Sequence, residues 1–146
     1  MSRAEQVILT NMCMVTDGKG NVLMQDRTDP HWSGSVFPGG HVEPGESFVQ
    51  SGIREVREET GLTVRNPRLC GVKQFWTEEG ARYVVLLFCA NEYEGELRSS
   101  DEGEAMWVPR SELSVRRCVP KFDHLLKIFE DDRISELFYD GKACFF

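Results

Sequence analysis

At 146 residues, with 40% hydrophobic and 28% charged side chains, the chain suits a single compact domain over residues 1–146 that can bury a core without disulfide staples. No apolar run approaches the roughly eighteen residues of a membrane span. The polar start Met1-Ser2-Arg3-Ala4-Glu5 does not read as a signal peptide, so a cytoplasmic protein with no membrane partner is expected. A net charge of −7 has the wrong sign for gripping a nucleic-acid backbone, which argues against a polymeric nucleic-acid partner.

Val7 to Val15 is apolar and β-favouring and predicts a strand. Asp17-Gly18-Lys19-Gly20 predicts a turn, with Asn21 to Arg27 returning as the second strand of a hairpin. Residues 28–35 read as loop, Val36-Phe37-Pro38 as a short extended piece, and Gly39-Gly40 as the opening of another loop. Ser47 to Thr60 predicts a helix, with Ser47 and Gln50 fitting a capping box and Gly61 placed for a C-terminal cap. Two longer strands, 68–77 and 82–92, follow about a polar turn at Glu78-Glu79-Gly80, then a short strand at 105–108. Phe122 to Glu130 reads as a second helix, and the tail as a hairpin of 137–139 with 143–146 about Asp140-Gly141. The expected fold class is α/β, with a mixed β-sheet between helices. The five cysteines, Cys13, Cys70, Cys89, Cys118 and Cys144, lack metal-ligand spacing and suit reduced, mostly buried thiols.

The acids cluster, at Glu55/Glu58/Glu59 and at Asp101/Glu102/Glu104. Clustered carboxylates bind phosphate only when divalent cations lie between them. Glu55, Glu58 and Glu59 stand at i, i+3 and i+4, so they share one helix face, with Val49, Ile53 and Val56 on another that should pack on the sheet. Like charges at this spacing repel, and the C-terminal end of a helix disfavours them further. Divalent metal is the natural compensation, and an oxygen-rich site favours Mg²⁺. Arg54 can reach Glu58 one turn on and Glu46 across the loop, a placement that orients carboxylates rather than substrate.

Together these residues form Gly40-x5-Glu46-x7-Arg54-Glu55-Val56-x-Glu58-Glu59-x-Gly61-Leu62. A chance match to this pattern over residues 40–62 is below roughly one in a million. On this box, on the lead-in Trp32-x-Gly34-x-Val36-Phe37-Pro38-Gly39-Gly40 and on the acidic loop before Trp107, the chain resembles the Nudix hydrolases, and within them the MutT-like branch that hydrolyses oxidised nucleoside triphosphates such as 8-oxo-dGTP. The resemblance implies an α/β/α sandwich and a catalytic set of Arg54, Glu55, Glu58, Glu59 and Glu102. It implies metal ligation by the Gly39 carbonyl, Glu55, Glu58, Glu59 and a loop acid, Glu102 or alternatively Glu104. Whether Glu55 or the loop acid is the general base stays open.

The implied cofactor is two or more Mg²⁺ ions, or Mn²⁺ in their place, and the implied reaction splits a nucleoside triphosphate into monophosphate and pyrophosphate. Arg27 and Gly40 are candidate phosphate contacts. Asn11, Phe75 and Asp123, with Trp76 and Phe122, are candidates for a nucleobase pocket. The expected partner is a small nucleotide, the assembly a monomer or homodimer. Hydrolysis of ADP-ribose, nucleotide sugars or dinucleoside polyphosphates is the second reading. A non-catalytic nucleotide-binding module is the third, disfavoured by the intact box.

Overall fold

The computed structural model describes residues 2–146. Its strands are β1 (Val7–Val15), β2 (Asn21–Arg27), β3 (Gly34–Val36), β4 (Gly39–His41), β5 (Thr63–Arg65), β6 (Arg68–Trp76), β7 (Arg82–Ala90), β8 (Glu92–Glu94), β9 (Gly103–Pro109), β10 (Glu136–Tyr139) and β11 (Ala143–Phe145). The helices are α1 (Phe48–Thr60) and α2 (Phe122–Glu130). A six-stranded mixed sheet runs β11-β10-β6-β7-β1-β4, a three-stranded sheet β3-β2-β9, and β5 pairs with β8. β1 lies parallel to β7 with Val7 opposite Arg82 and Val15 opposite Ala90, while β4 pairs antiparallel on its other side.

Side-chain alternation along β1, β2 and β7 explains the layers. Met12, Val22, Met24 and Leu87 face one cluster, closed by Phe37 and by Phe122, Leu125 and Ile128 of α2. Cys13, Leu23, Leu86 and Phe88 face a second, closed by Val56 of α1 with Leu62 and Val64. A sheet buried on both faces needs cover on both, and the two helices supply it. The expected α/β/α sandwich is what forms. No helix among the described residues is long and apolar enough to cross a membrane.

α1 begins and ends as its sequence dictates. The Ser47 hydroxyl accepts from the Gln50 N–H at 3.0 Å, and the Gln50 side chain accepts from the Ser47 N–H at 3.3 Å. Gly61 closes the helix at φ 80°, its N–H reaching the Arg57 carbonyl at 2.9 Å. α2 and the tail hairpin also lie where the sequence puts them.

Three expectations need correcting. The turn at Asp17 does close, with the Asp17 carboxylate accepting from the N–H groups of Lys19 and Asn21. Beyond the single Thr16–Val22 bridge, however, β1 and β2 part into different sheets, so they form no extended hairpin. Each strand instead pairs over its full length with a partner farther along the chain: β7 for β1, β9 for β2. Gly39-Gly40 is not loop but strand, held by pairing to Met12 and Asn11. Val49 is 42% exposed, because the buried side of α1 is Ser51, Gly52, Val56, Glu59 and Thr60. Small residues there bring the helix close to the sheet, with Gly52 over the Phe88 ring.

Candidate active site

Because α1 sits so near β1 and β4, its last turns meet the Gly39-Gly40 backbone. Asn11 of β1 clamps the three elements, its Nδ2 donating to Ser51 Oγ at 2.9 Å and its Oδ1 accepting from the Gly40 N–H at 3.2 Å. The Gly39 N–H donates to Glu59 Oε2 at 3.1 Å. Neither glycine could carry a side chain without displacement. A Cβ on Gly39 would collide with the Asn11 carbonyl and lie 2.8 Å from Met12 Cα.

Glu59 is only 3% exposed. Burial, reinforced by the Glu102 carboxyl beside it, pushes its pKa up to about 9 against the pull of the Gly39 N–H. Burial also raises the Glu55 carboxyl, opposed by the adjacent Arg54. Arg54 organises the acids around it. Nε and Nη2 grip Glu46 at 2.7 and 3.0 Å, Nη2 reaches the His41 carbonyl at 2.9 Å, and Nη1 reaches Glu55 at 2.8 Å and Glu58 at 3.2 Å. The guanidinium holds the Glu46 carboxyl down at about 2, and the grouped carboxylates push the Arg54 pKa up. The reach to Glu46 and Glu58 is the one the sequence suggests. The bond to Glu55 is additional.

A cavity of about 410 Å³ opens beside these acids. Of the sequence-predicted residues, Gly39, Gly40, Glu55, Glu59, Glu102, Arg27, Asn11 and Phe75 line it. Glu104 does not, which separates it from Glu102. Glu58 stands outside the lining with its side chain 54% exposed, tied to the site through Arg54. Asp123 lies on the exposed face of α2 and is not among the residues that line the cavity. Its placement follows from the helix phase, which buries Phe122, Leu125 and Ile128 and turns Asp123 out. Phe122 is core, edge-on to Phe37 at 5.0 Å between ring centres, and Trp76 is 46% exposed beneath Arg82.

Sequence reasoning missed Lys73, Tyr83 and Val85, which complete the far wall. The Phe75 and Tyr83 rings stack at 4.8 Å across the β6–β7 pairing. On the near side, the Arg27 guanidinium lies 5.3 Å from the Trp32 ring centre. The signal that could have found Lys73 is its alternation with Phe75 on the same face of β6.

Among the described residues, the buried side-chain atoms without a hydrogen-bond partner are Gln25 Nε2 and Oε1, Arg27 Nε and Glu59 Oε1. Arg27 and Glu59 both line the cavity. Orphaned polar groups are costly, and these two on one cavity mark a place built to receive something polar. No three acids, histidines or thiols among the described residues stand ready as a closed metal cage. Yet Glu55, Glu59 and Glu102 all line this one cavity, one of them with a free buried oxygen, and that donor set of hard oxygens fits a hard divalent cation.

The model of the NUDIX domain matches residues 9–127. The Nudix hydrolase YvcI of Bacillus subtilis is 35% identical over 123 residues, covering 81% of this chain and 75% of that protein. Human 8-oxo-dGDP phosphatase NUDT18 is 33% identical over 129 residues, and this chain spans only 39% of its length. The crystal structure of the mutator protein MutT from Bacillus halodurans superposes with a TM-score of 0.76 at 29% identity, covering 94% of each chain. Sequence pattern, layer order and relatives agree, and the chain belongs to the Nudix hydrolase family as a MutT-like member.

Proposed function

We propose that this Nudix hydrolase cleaves a P–O–P link of nucleoside triphosphates, with oxidised ones of the 8-oxo-dGTP kind preferred, releasing nucleoside monophosphate and pyrophosphate. The observation that carries this reading is the two-ended cavity. Buried Glu59, with an unpartnered oxygen, stands with Glu55 and Glu102 at one end, and a stacked aromatic pair with apolar walls at the other. A nucleotide has the same two ends, and similarity to an 8-oxo-dGDP phosphatase supports the oxidised purine.

Glu58, Glu59, Glu102 and the Gly39 carbonyl would hold Mg²⁺ or Mn²⁺ there. When bound, such ions lower the pKa of water and neutralise charge on the phosphate oxygens. The chain's own groups do the rest. Arg54 holds Glu55 by one carboxylate oxygen, leaving the other to accept a proton from the attacking water. The Arg27 guanidinium, with an uncommitted Nε, suits the phosphate chain. Asn11 serves as a clamp that keeps Gly40 and α1 in register rather than as a reader of bases.

The test is turnover with Mg²⁺ over a panel of 8-oxo-dGTP, 8-oxo-dGDP, dGTP and ADP-ribose, with pyrophosphate and phosphate measured separately. Pyrophosphate from 8-oxo-dGTP, abolished by chelator, is the expected result. Phosphate from the diphosphate, or AMP and ribose phosphate from ADP-ribose, would move the substrate. Binding without turnover, or full turnover in excess chelator, would overturn the reading.

A further inference from the structure

Lys73 is an awkward residue to find where it is. It lies half-buried on β6, lines the cavity, and makes no ion pair with any acid among the described residues. Its ammonium instead sits 5.4 Å from the Phe75 ring centre and 5.5 Å from that of Tyr139. Tyr139 also has Lys121 4.8 Å away, so two cations face one ring. Loss of water and the nearby Lys121 both disfavour its charge and lower its pKa. A lysine on an ordinary strand would snorkel to solvent. This one is turned along the cavity wall between two aromatic rings with no carboxylate paired to it.

Its position relative to the acids is set by strand order. The cavity crosses the sheet from β4, at Gly39 and Gly40, over β1 and β7 to β6, at Lys73 and Phe75. Three interstrand steps of about 4.8 Å put the β6 backbone at Lys73 ~14 Å from the β4 backbone at the acid end. That is the reach of a nucleotide from its phosphates through the sugar to the outer edge of the base. Lys73 therefore meets the base edge, beside the Phe75–Tyr83 stack that would take the ring's face.

An ammonium offers three donors and no acceptor. It can pair with a ring carbonyl or ring nitrogen, as lysine does with guanine O6 and N7, and it opposes an exocyclic amino group. We infer that Lys73 is the specificity-determining residue of the pocket, selecting bases that present a carbonyl at the outer edge, 6-oxopurines above all, and rejecting 6-aminopurines. This rests on the nucleotide reading of the cavity and narrows it to a substrate class.

The cleanest probe is a pair of purines that differ at position 6, dITP and dATP, compared in wild type, Lys73→Met and Lys73→Arg. Wild type should favour dITP. Lys73→Met should reduce that preference by about 10- to 100-fold, the worth of one charge-assisted hydrogen bond. The loss should fall on KM for dITP with kcat little changed, and Lys73→Arg should retain most of the preference. Binding of the monophosphates dIMP and dAMP, measured by calorimetry, reads the same selectivity without catalysis. An unchanged dITP-to-dATP ratio in Lys73→Met overturns the inference, as does an equal loss for both nucleotides, which would make Lys73 a phosphate contact or a wall. Selective dIMP binding with no hydrolysis of any nucleotide would overturn the proposed reaction and leave this inference standing. Failure to bind either monophosphate together with no turnover of dITP or dATP would remove both.

Discussion

Gly40 is bare because Glu55 fills the space a side chain would need: a Cβ there would lie 2.5 Å from Glu55 Oε2 and 2.6 Å from Oε1. The obstacle is the end of a flexible side chain, so the fold can tolerate Gly40→Ala while Glu55 is pushed aside. The expected result is a loss of kcat of about 100-fold, with a melting temperature near wild type. Gly39→Ala should behave in the opposite way. Its obstacle is β1 backbone, so stability should fall by roughly 1–3 kcal/mol or more. Thermal melts alongside steady-state kinetics decide it, and equal behaviour of the two variants would contradict the account.

Arg54 is predicted to act through the acids it holds. A lysine at this position could not reproduce the fork on Glu46 while also reaching Glu55, Glu58 and the His41 carbonyl. Arg54→Lys should therefore lower Mg²⁺ affinity or kcat by about 10- to 100-fold. Glu46→Gln should give a milder version of the same defect. The Mg²⁺ dependence of kcat is the readout that a purely structural role would leave unmoved.

Glu58→Gln and Glu59→Gln each take one carboxylate charge from the metal-loaded site at little steric cost. Both should reduce kcat by about 100-fold or more while circular dichroism stays native. Near-normal turnover in both variants would put the site elsewhere.

The buried Glu59 carboxyl makes the metal-free protein sensitive to alkali. In the fold it keeps its proton up to about pH 9, whereas unfolded it ionises near 4.5. The folded state then binds the extra proton, so stability is full below pH 4.5 and declines as pH rises towards 9. In chelator, the melting temperature of wild type should fall between about pH 5.5 and 9 more steeply than that of Glu59→Gln. Mg²⁺ should flatten the wild-type curve, since the cation takes the proton's place. Parallel curves for the two proteins in chelator would refute the assignment.

What the sequence reveals of this molecule is its local chemistry. The Ser47–Gln50 box, the Gly61 cap and the α2 periodicity are written within a few residues, and each forms where expected. Glu55 and Glu59 share a face by helical spacing alone. Pairings between distant segments leave no such mark. Gly39-Gly40 has nothing strand-like about it, and only β1 makes it one. The Asp17 turn is correct, but the hairpin beyond it loses to β7 and β9. Lys73 escapes notice for a related reason: a lysine in an alternating strand ordinarily faces water. Only the β6–β7 register, with Tyr83 opposite Phe75, reveals that this face is a cavity wall. Asp123 is turned outward by the helix phase, which position near the second helix does not by itself reveal.

The parallel pairing of β1 with β7 also sets the order of assembly. The first strand of the chain gains its long neighbour only after Arg82–Ala90 has been made, and until then the Asn11 clamp has no fixed frame. Such distant contacts are slow to close. During synthesis the acidic helix and the β1 and β4 strands beside it are thus made well before β7, whose Phe88 lies under Gly52, so the finished site waits for the second half of the polypeptide.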